Sequence, residues 1–289
     1  MPNLKDIKRR IDSVKKTRQI TSAMKLVAGA KLRKATERAL AARPYRDKLE
    51  ATLSRVAANA GENVDPLLAL REEVKSIKVV VLTSDRGLCG SFNNSMLRRA
   101  HTWLEDRKLE GVDIELRVFG RKGVDFLKAR GFDTSNAIIH YGKTPKMDLV
   151  RPICDESVAE FLDGEQDEVW LFFNRFKSAI AQIPTFQRIL PMEVAIPEDP
   201  DSMGMAEFEY EPAPDEVLRA LLPLYLRTTV LQAFFENEAG EHAARMTAMD
   251  NATRNASDLI DALTLQFNRA RQAAITTEIT EIVSGAEAL

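Results

Sequence analysis

"MTAMDNATRNASDLIDALTLQFNRARQAA", Met246 to Ala274, is the stretch that decides the architecture. Met246, Met249, Thr253, Ala256, Ile260, Leu263, Phe267, Ala270 and Ala274 alternate in steps of three and four without a slip. That spacing puts them in one stripe along a helix, and sustained over so many turns it reads as a coiled-coil seam. A coiled-coil strand cannot cover its own stripe, so a partner helix is required.

The other end of the chain offers one. Leu4, Ile7, Ile11 and Val14 are spaced 3, 4, 3. Arg18 and Thr21 take the next seam positions, where the seam weakens, and it resumes loosely through Met24, Val27/Ala28, Leu32, Ala35 and Ala39. Pro44 is expected to kink this helix or end it at Arg43. "GENVDP", Gly61 to Pro66, is a break.

Between the two arms the period changes. "IKVVVLTSD" is a continuous apolar run, as in a buried parallel strand, and "SFNNSMLRRAHTWLED" reads as the helix after it. "IELRVFG" is a second strand, "KGVDFLKARG" a helix closed by Gly131, and "AIIHY" a third strand. "LVRPICDESVAEFLDG" is helical after Pro152, "EVWLFFN" and "SAIAQIPTFQRILP" are adjacent strands, and "PEDPDSMG" is a loop. Strand and helix in alternation predict an α/β domain with a mainly parallel sheet and an antiparallel edge.

The expected fold is therefore α/β: a central Rossmann-like domain (residues 75–205) between an N-terminal coiled-coil helix (1–60) and a C-terminal one (212–289). Both arms leave the same domain, so their simplest pairing is antiparallel. At ~1.5 Å per residue they are roughly 85 and 105 Å long. The C-terminal arm then overhangs by about 15 to 20 residues.

Net charge is −2, but its distribution is uneven. Met1 to Lys48 holds fifteen Lys/Arg against four Asp/Glu, and Glu207 to Glu241 holds eight acidic residues against two Arg. Such asymmetry points to charged partners or to internal pairing. Cys89 and Cys154 are far apart and in no ligand spacing, which fits a reducing compartment. No run of about 18 apolar residues marks a membrane span. The N-terminus has no apolar core of the kind a signal peptide needs.

"SDRGLCG", Ser84 to Gly90, joins a strand to a helix, a place where phosphate-binding loops occur. It lacks Gly-Lys-Ser/Thr and GxGxxG, so a tight strand–helix turn is the plainer reading. Arg86, held on that turn, is suited to an acidic partner. His101, His140 and His242 have no metal-ligand spacing, and no local signature of a catalytic triad occurs. The basic N-terminal arm has one tyrosine and an apolar seam, which favours a coiled-coil flank over a nucleic-acid surface. Arg271 and Gln272 stand on an otherwise small-residue face. They are either a solvated pair or a polar anchor for a surrounding partner, since arginine's planar fork suits carboxylates.

At both ends the sequence resembles the gamma subunits of F-type ATP synthases. The segments are "IKRRIDSVKKTRQITSAMKLVAGAKLRKA" (Ile7 to Ala35) and Ala244 to Ala286, with Ile275, Thr276, Glu278, Glu281, Gly285 and Ala286 as its signature, together with "SDRGLCGSFN". The resemblance implies a rotor shaft with no catalytic site, cofactor or metal of its own. It implies as partners the α and β subunits of the F1 head, the epsilon subunit and the c-ring. Met24, Arg86 and Arg245 match positions close to an acidic loop of β, and Arg271 and Gln272 match a polar catch on β. The cysteine pair of chloroplast-type subunits is absent. With no transit peptide, the resemblance implies a peripheral protein on the cytoplasmic side of a bacterial inner membrane. Two other readings are a nucleotide-binding enzyme built on the α/β domain and a basic coiled-coil binder of nucleic acid.

Overall fold

The structure, a computed structural model, describes residues 4–59, 65–194, 211 and 213–287. The loop expected at "PEDPDSMG" lies outside them. Among the described residues, five α-helices and four strands follow in the order α1 (Leu4–Asn59), β1 (Ser76–Leu82), α2 (Phe92–Leu109), β2 (Asp113–Phe119), α3 (Arg121–Lys128), α4 (Lys146–Leu162), β3 (Glu168–Phe176), β4 (Gln182–Leu190) and α5 (Pro214–Glu287). The chain divides into two compact units, one of residues 30–244 and one of 1–29 with 245–289.

In the larger unit the sheet order is β2-β1-β3-β4. β1 is parallel to both neighbours and β3 pairs antiparallel with the edge strand β4. β1 is buried on both faces, which is why it reads as an unbroken apolar run. Its side chains alternate: Ile77, Val79 and Val81 join the core formed with α2, α3 and Phe172, while Val80 and Leu82 join the opposite core. That second core also takes Val150, Ile153 and Phe161 of α4, Leu53 and Val56 of α1, and Leu222, Leu226 and Phe234 of α5. The sheet is thus clad on one side by the roots of both long helices.

Two sequence expectations need correction, and one of the two alternatives at Pro44 is excluded. "AIIHY" makes only an isolated bridge, Ile138 to Phe119. His140 turns into the left-handed region (φ 61°) and its N–H donates to the Asp85 carboxylate at 2.9 Å, bending the segment away from the sheet. α1 does not end at Pro44. Leu40, whose carbonyl loses its donor there, and Pro44 are both exposed, so water can serve that carbonyl, and the helix continues with Leu49 and Leu53 buried beyond it. α4 begins before Pro152, because Leu149, Val150, Ile153, Cys154 and Phe161 form one buried face that the proline, exposed on the other, does not interrupt.

Candidate functional site

Within the unit 1–29 with 245–289, the two arms run antiparallel. Ile7 and Ile11 pack on Leu263, with Phe267 and Ala270 against them. Thr21 Oγ1 accepts from Thr253 Oγ1 at 2.8 Å, Lys25 Nζ donates to Asp250 Oδ1 at 2.6 Å, and Gly29 faces the Met246 sulfur. As the number falls on one arm it rises on the other, which only antiparallel pairing allows. Met249, Ala256, Ile260 and Leu263 of the seam are buried. Arg18 is exposed and leaves the seam open, beside a groove of ≈ 530 Å³ that also touches Ser22, Thr253 and Ser257.

The Lys25–Asp250 pair is joined by Arg254, whose Nη2 reaches Asp250 Oδ2 at 3.1 Å. The hydrogen bond from Lys25, aided by both positive charges, holds the Asp250 carboxyl below the usual carboxylate range. A depressed folded pKa means stability that is present above the unfolded value and lost as pH falls through the folded one. Asp250→Asn is expected to lower the melting temperature slightly at neutral pH, because exposed pairs contribute little. The gap should close on acidification below the carboxylate range; a gap that persists there would assign the loss to something other than this charge.

Past Ala274, every described side chain of α5 is exposed, including Ile275, Ile279, Ile282 and Val283. Arg271 and Gln272 lie just before this segment and are both exposed. Met24 is half-buried on α1. Arg245, also half-buried, adjoins the Gly29–Met246 layer, about one and a half turns along the axis from Met24. The pair 271–272 is roughly 40 Å further along α5, so these residues form at least two separate sets.

Arg86 belongs to the other unit, where the turn 84–90 is laced to itself and its neighbours. Ser84 N–H donates to Asn93 Oδ1 (3.0 Å), Asn93 Nδ2 donates to Ser84 Oγ (2.7 Å), and Ser84 Oγ donates to the Arg86 carbonyl (2.7 Å). Asp85 Oδ1 accepts from Arg121 N–H at the start of α3 (3.1 Å) as well as from His140 N–H. The Asp85 carboxylate therefore caps the start of α3, not the start of α2 into which the turn leads. The side chain of Arg86 is exposed.

The likeness to known proteins extends beyond these segments. A family model described as ATP synthase matches residues 3–289. ATP synthase gamma chains of Pelotomaculum thermopropionicum and Moorella thermoacetica are 45% and 46% identical over 289 residues, covering all of this chain and all of each relative. The chain belongs to the ATP synthase gamma-chain family. That of Paracoccus denitrificans is 45% identical over 293 residues, again across both full lengths. A chain in the central stalk/c-ring structure of Tetrahymena thermophila mitochondrial ATP synthase is 26% identical with a TM-score of 0.58, covering 81% of this chain and 99% of that one. A chain in the OSCP/F1/c-ring structure of Euglena gracilis mitochondrial ATP synthase has a TM-score of 0.70 at 21% identity, covering 99% and 94%, and supports the fold.

No described helix is long and apolar enough to cross a membrane. Burial pushes the Cys154 thiol up to about 12, and Cys89 is the buried residue of the turn 84–90 that carries a thiol. Sequence reasoning missed two features. The Lys25–Asp250 pair depends on the exact register between the two arms, which their spacing alone does not give. The inward use of Asp85 had no sequence signal, because its two partners are backbone groups 36 and 55 residues away.

Proposed function

We infer that this chain is the central-stalk gamma subunit of a proton-translocating F-type ATP synthase. It carries rotation between the membrane c-ring and the catalytic β subunits, and so couples proton flow to ATP synthesis or hydrolysis. It is a rotor component with no catalytic site of its own. Its partners are the α and β subunits of the F1 head, the epsilon subunit and the c-ring. The observation that carries this reading is the antiparallel helix pair whose longer member continues alone past Ala274 with an uncovered apolar face, in a chain matched end to end by gamma chains.

Coupling then has a linkage form. An asymmetric helix surrounded by like subunits biases each toward a different conformation according to its angle, and the bias acts in both directions. Met24, Arg86 and Arg245 meet acidic surface on β. Arg271 and Gln272 are the polar grip where the single helix enters the collar of head subunits. The alanines around them keep the helix slim. The segment past Ala274 is the part that overhangs into that collar. The gamma-chain relatives are bacterial, and the stalk sits peripherally on the cytoplasmic face of a bacterial inner membrane.

The decisive experiment is co-purification with α and β subunits, with one copy of this chain expected per three β. A stoichiometry of one per β would exclude a central shaft. Arg271→Ala with Gln272→Ala is expected to leave assembly intact and to lower ATP-driven proton pumping per ATP hydrolysed several-fold, since each charge-assisted hydrogen bond lost is worth about 1.5–3 kcal/mol. Unchanged coupling would reduce the pair to solvated side chains.

A further inference from the structure

In open α/β sheets, ligands bind beyond the carboxyl ends of the strands, at the point where the strand order reverses. In the order β2-β1-β3-β4 that point lies between β1 and β3. The chain's own helix α5 meets the strand ends there. The pairing of β1 with β3 stops at Val81–Phe172, two residues short of Asn174. A buried backbone N–H beyond the end of a ladder needs an acceptor. Asn237 of α5 supplies it: its Oδ1 accepts from the Asn174 N–H at 3.2 Å, and the two residues are only 2% and 1% exposed.

The bond belongs to a buried chain of them. Asn174 Nδ2 donates to the Phe92 carbonyl at the start of α2 (3.2 Å). On the β1 side, the Tyr141 hydroxyl donates to the Thr83 carbonyl (2.6 Å) and accepts from the Asn237 side chain. One amide on α5 thus joins the end of β3 to the end of β1. The helix also approaches closely. A Cβ added at Gly240, three residues on from Asn237, would stand 3.0 Å from Phe92 Cε2 and 3.3 Å from Gln182 Cγ. Phe234, three residues before Asn237, meets the Phe119 and Tyr141 rings edge-on.

We propose that Asn237 and Tyr141 are positioning residues: they lock α5 into the crevice that a ligand takes in other sheets of this kind, and torque passes between the α/β domain and α5 through that lock. This rests on the reading of the chain as a rotating shaft. Apolar burial is non-directional and by itself resists the turning of one element against another only weakly. Hydrogen bonds have preferred distances and angles, and a buried group left without one is costly, so Asn237 and Tyr141 fix a single seating of the helix.

The test uses the complete complex in vesicles and three variants. Tyr141→Phe keeps the ring against Phe119 and Phe234 and removes both hydroxyl bonds. Asn237→Leu keeps the side-chain bulk and leaves the Asn174 N–H without its acceptor. Each is expected to assemble in the unaltered stoichiometry, to hydrolyse ATP at an unchanged rate, and to lower proton pumping per ATP hydrolysed roughly twofold or more. That ratio separates positioning from folding, because a variant that only folds less well loses pumping and hydrolysis together. Leu222→Ala is the control: it truncates a buried residue of the same helix, spares these bonds, and should lower the melting temperature with the ratio unchanged. A normal ratio in either lock variant overturns the proposal, as does an equal fall in the ratio for Leu222→Ala. If Asn237→Leu does not assemble, Tyr141→Phe decides alone. A wild-type complex with one copy of the chain per β would instead strike the shaft reading itself.

Discussion

Lys78→Ala is expected to destabilise the chain by about 3–5 kcal/mol, the cost of removing one partner from a buried charge cluster. Lys78 is fully buried on β1, on the same face as Val80 and Leu82. Its Nζ lies 2.7 Å from both oxygens of Glu160, 3.3 Å from Glu156 and 3.5 Å from Glu115. Glu115 is its register partner on β2, Glu156 and Glu160 are one turn apart on α4, and Arg117 binds Glu156 as well. The three carboxylates are close enough to hold a metal ion, but the lysine already supplies the cation, with no further group pointing to another. Removing it leaves like charges facing each other at the edge of a core. Domain stability is only about 5–15 kcal/mol, so the loss is large.

Lys78→Met tests the charge separately from the volume. Burial pushes the Glu160 carboxyl up and Lys78 pulls it back. Without the lysine the folded carboxyl titrates higher still. A raised carboxyl binds more protons folded than unfolded, so stability falls as pH rises through that window. The deficit of Lys78→Met is therefore expected to shrink as pH falls from neutrality toward the ordinary glutamate range. Urea unfolding followed by tryptophan fluorescence measures both, since Trp103 and Trp170 pack 5.1 Å apart in the same unit. A pH-independent loss below 1 kcal/mol would mean that the carboxylates find water instead.

Gly120→Ala is the second large effect, about 2–5 kcal/mol, from a glycine-only backbone together with overpacking. Gly120 has φ 95°, caps α3, and donates to the Ile138 carbonyl. An added Cβ would sit 2.4 Å from the Thr83 carbonyl oxygen and 2.7 Å from its hydroxyl. Thr83 cannot retreat, because its hydroxyl donates to the Phe119 carbonyl at 2.7 Å and its carbonyl accepts from buried Tyr141 at 2.6 Å. Gly111→Ala is the control. It has φ 82° with nothing within 4 Å of the added carbon, and its cost is confined to the backbone, about 1–2 kcal/mol. Equal losses at the two positions would show that the close approach at Thr83 is of no consequence.

Much of this architecture was legible because periodicity needs only residue identity and chain geometry. The seam from Met246 to Ala274 told its helix apart from an ordinary surface helix, and the run at Ile77 to Leu82 marked a strand buried on both faces. Pro152 misled, and at Pro44 the helix did not end, since the effect of a missing N–H depends on whether its orphaned carbonyl faces water, as at Leu40. "AIIHY" misled because strand-forming residues do not reveal that an aspartate elsewhere captures the backbone of His140. Arg86 was singled out from its place in a turn, while Asn237 was passed over, because an asparagine within a helix does not announce the strand end it will meet.

The sequence by itself determined the two arms, the parallel strands between them and the excess of one helix over the other. These follow from spacings of a few residues. Only the tertiary structure decided that Thr21 meets Thr253 and Lys25 meets Asp250, contacts more than 220 residues apart in the chain. The same holds for the three glutamates gathered on Lys78 and for Asn237 meeting the end of β3. The physical reason is shared: each depends on the register between elements, which is set by the packing of many side chains at once.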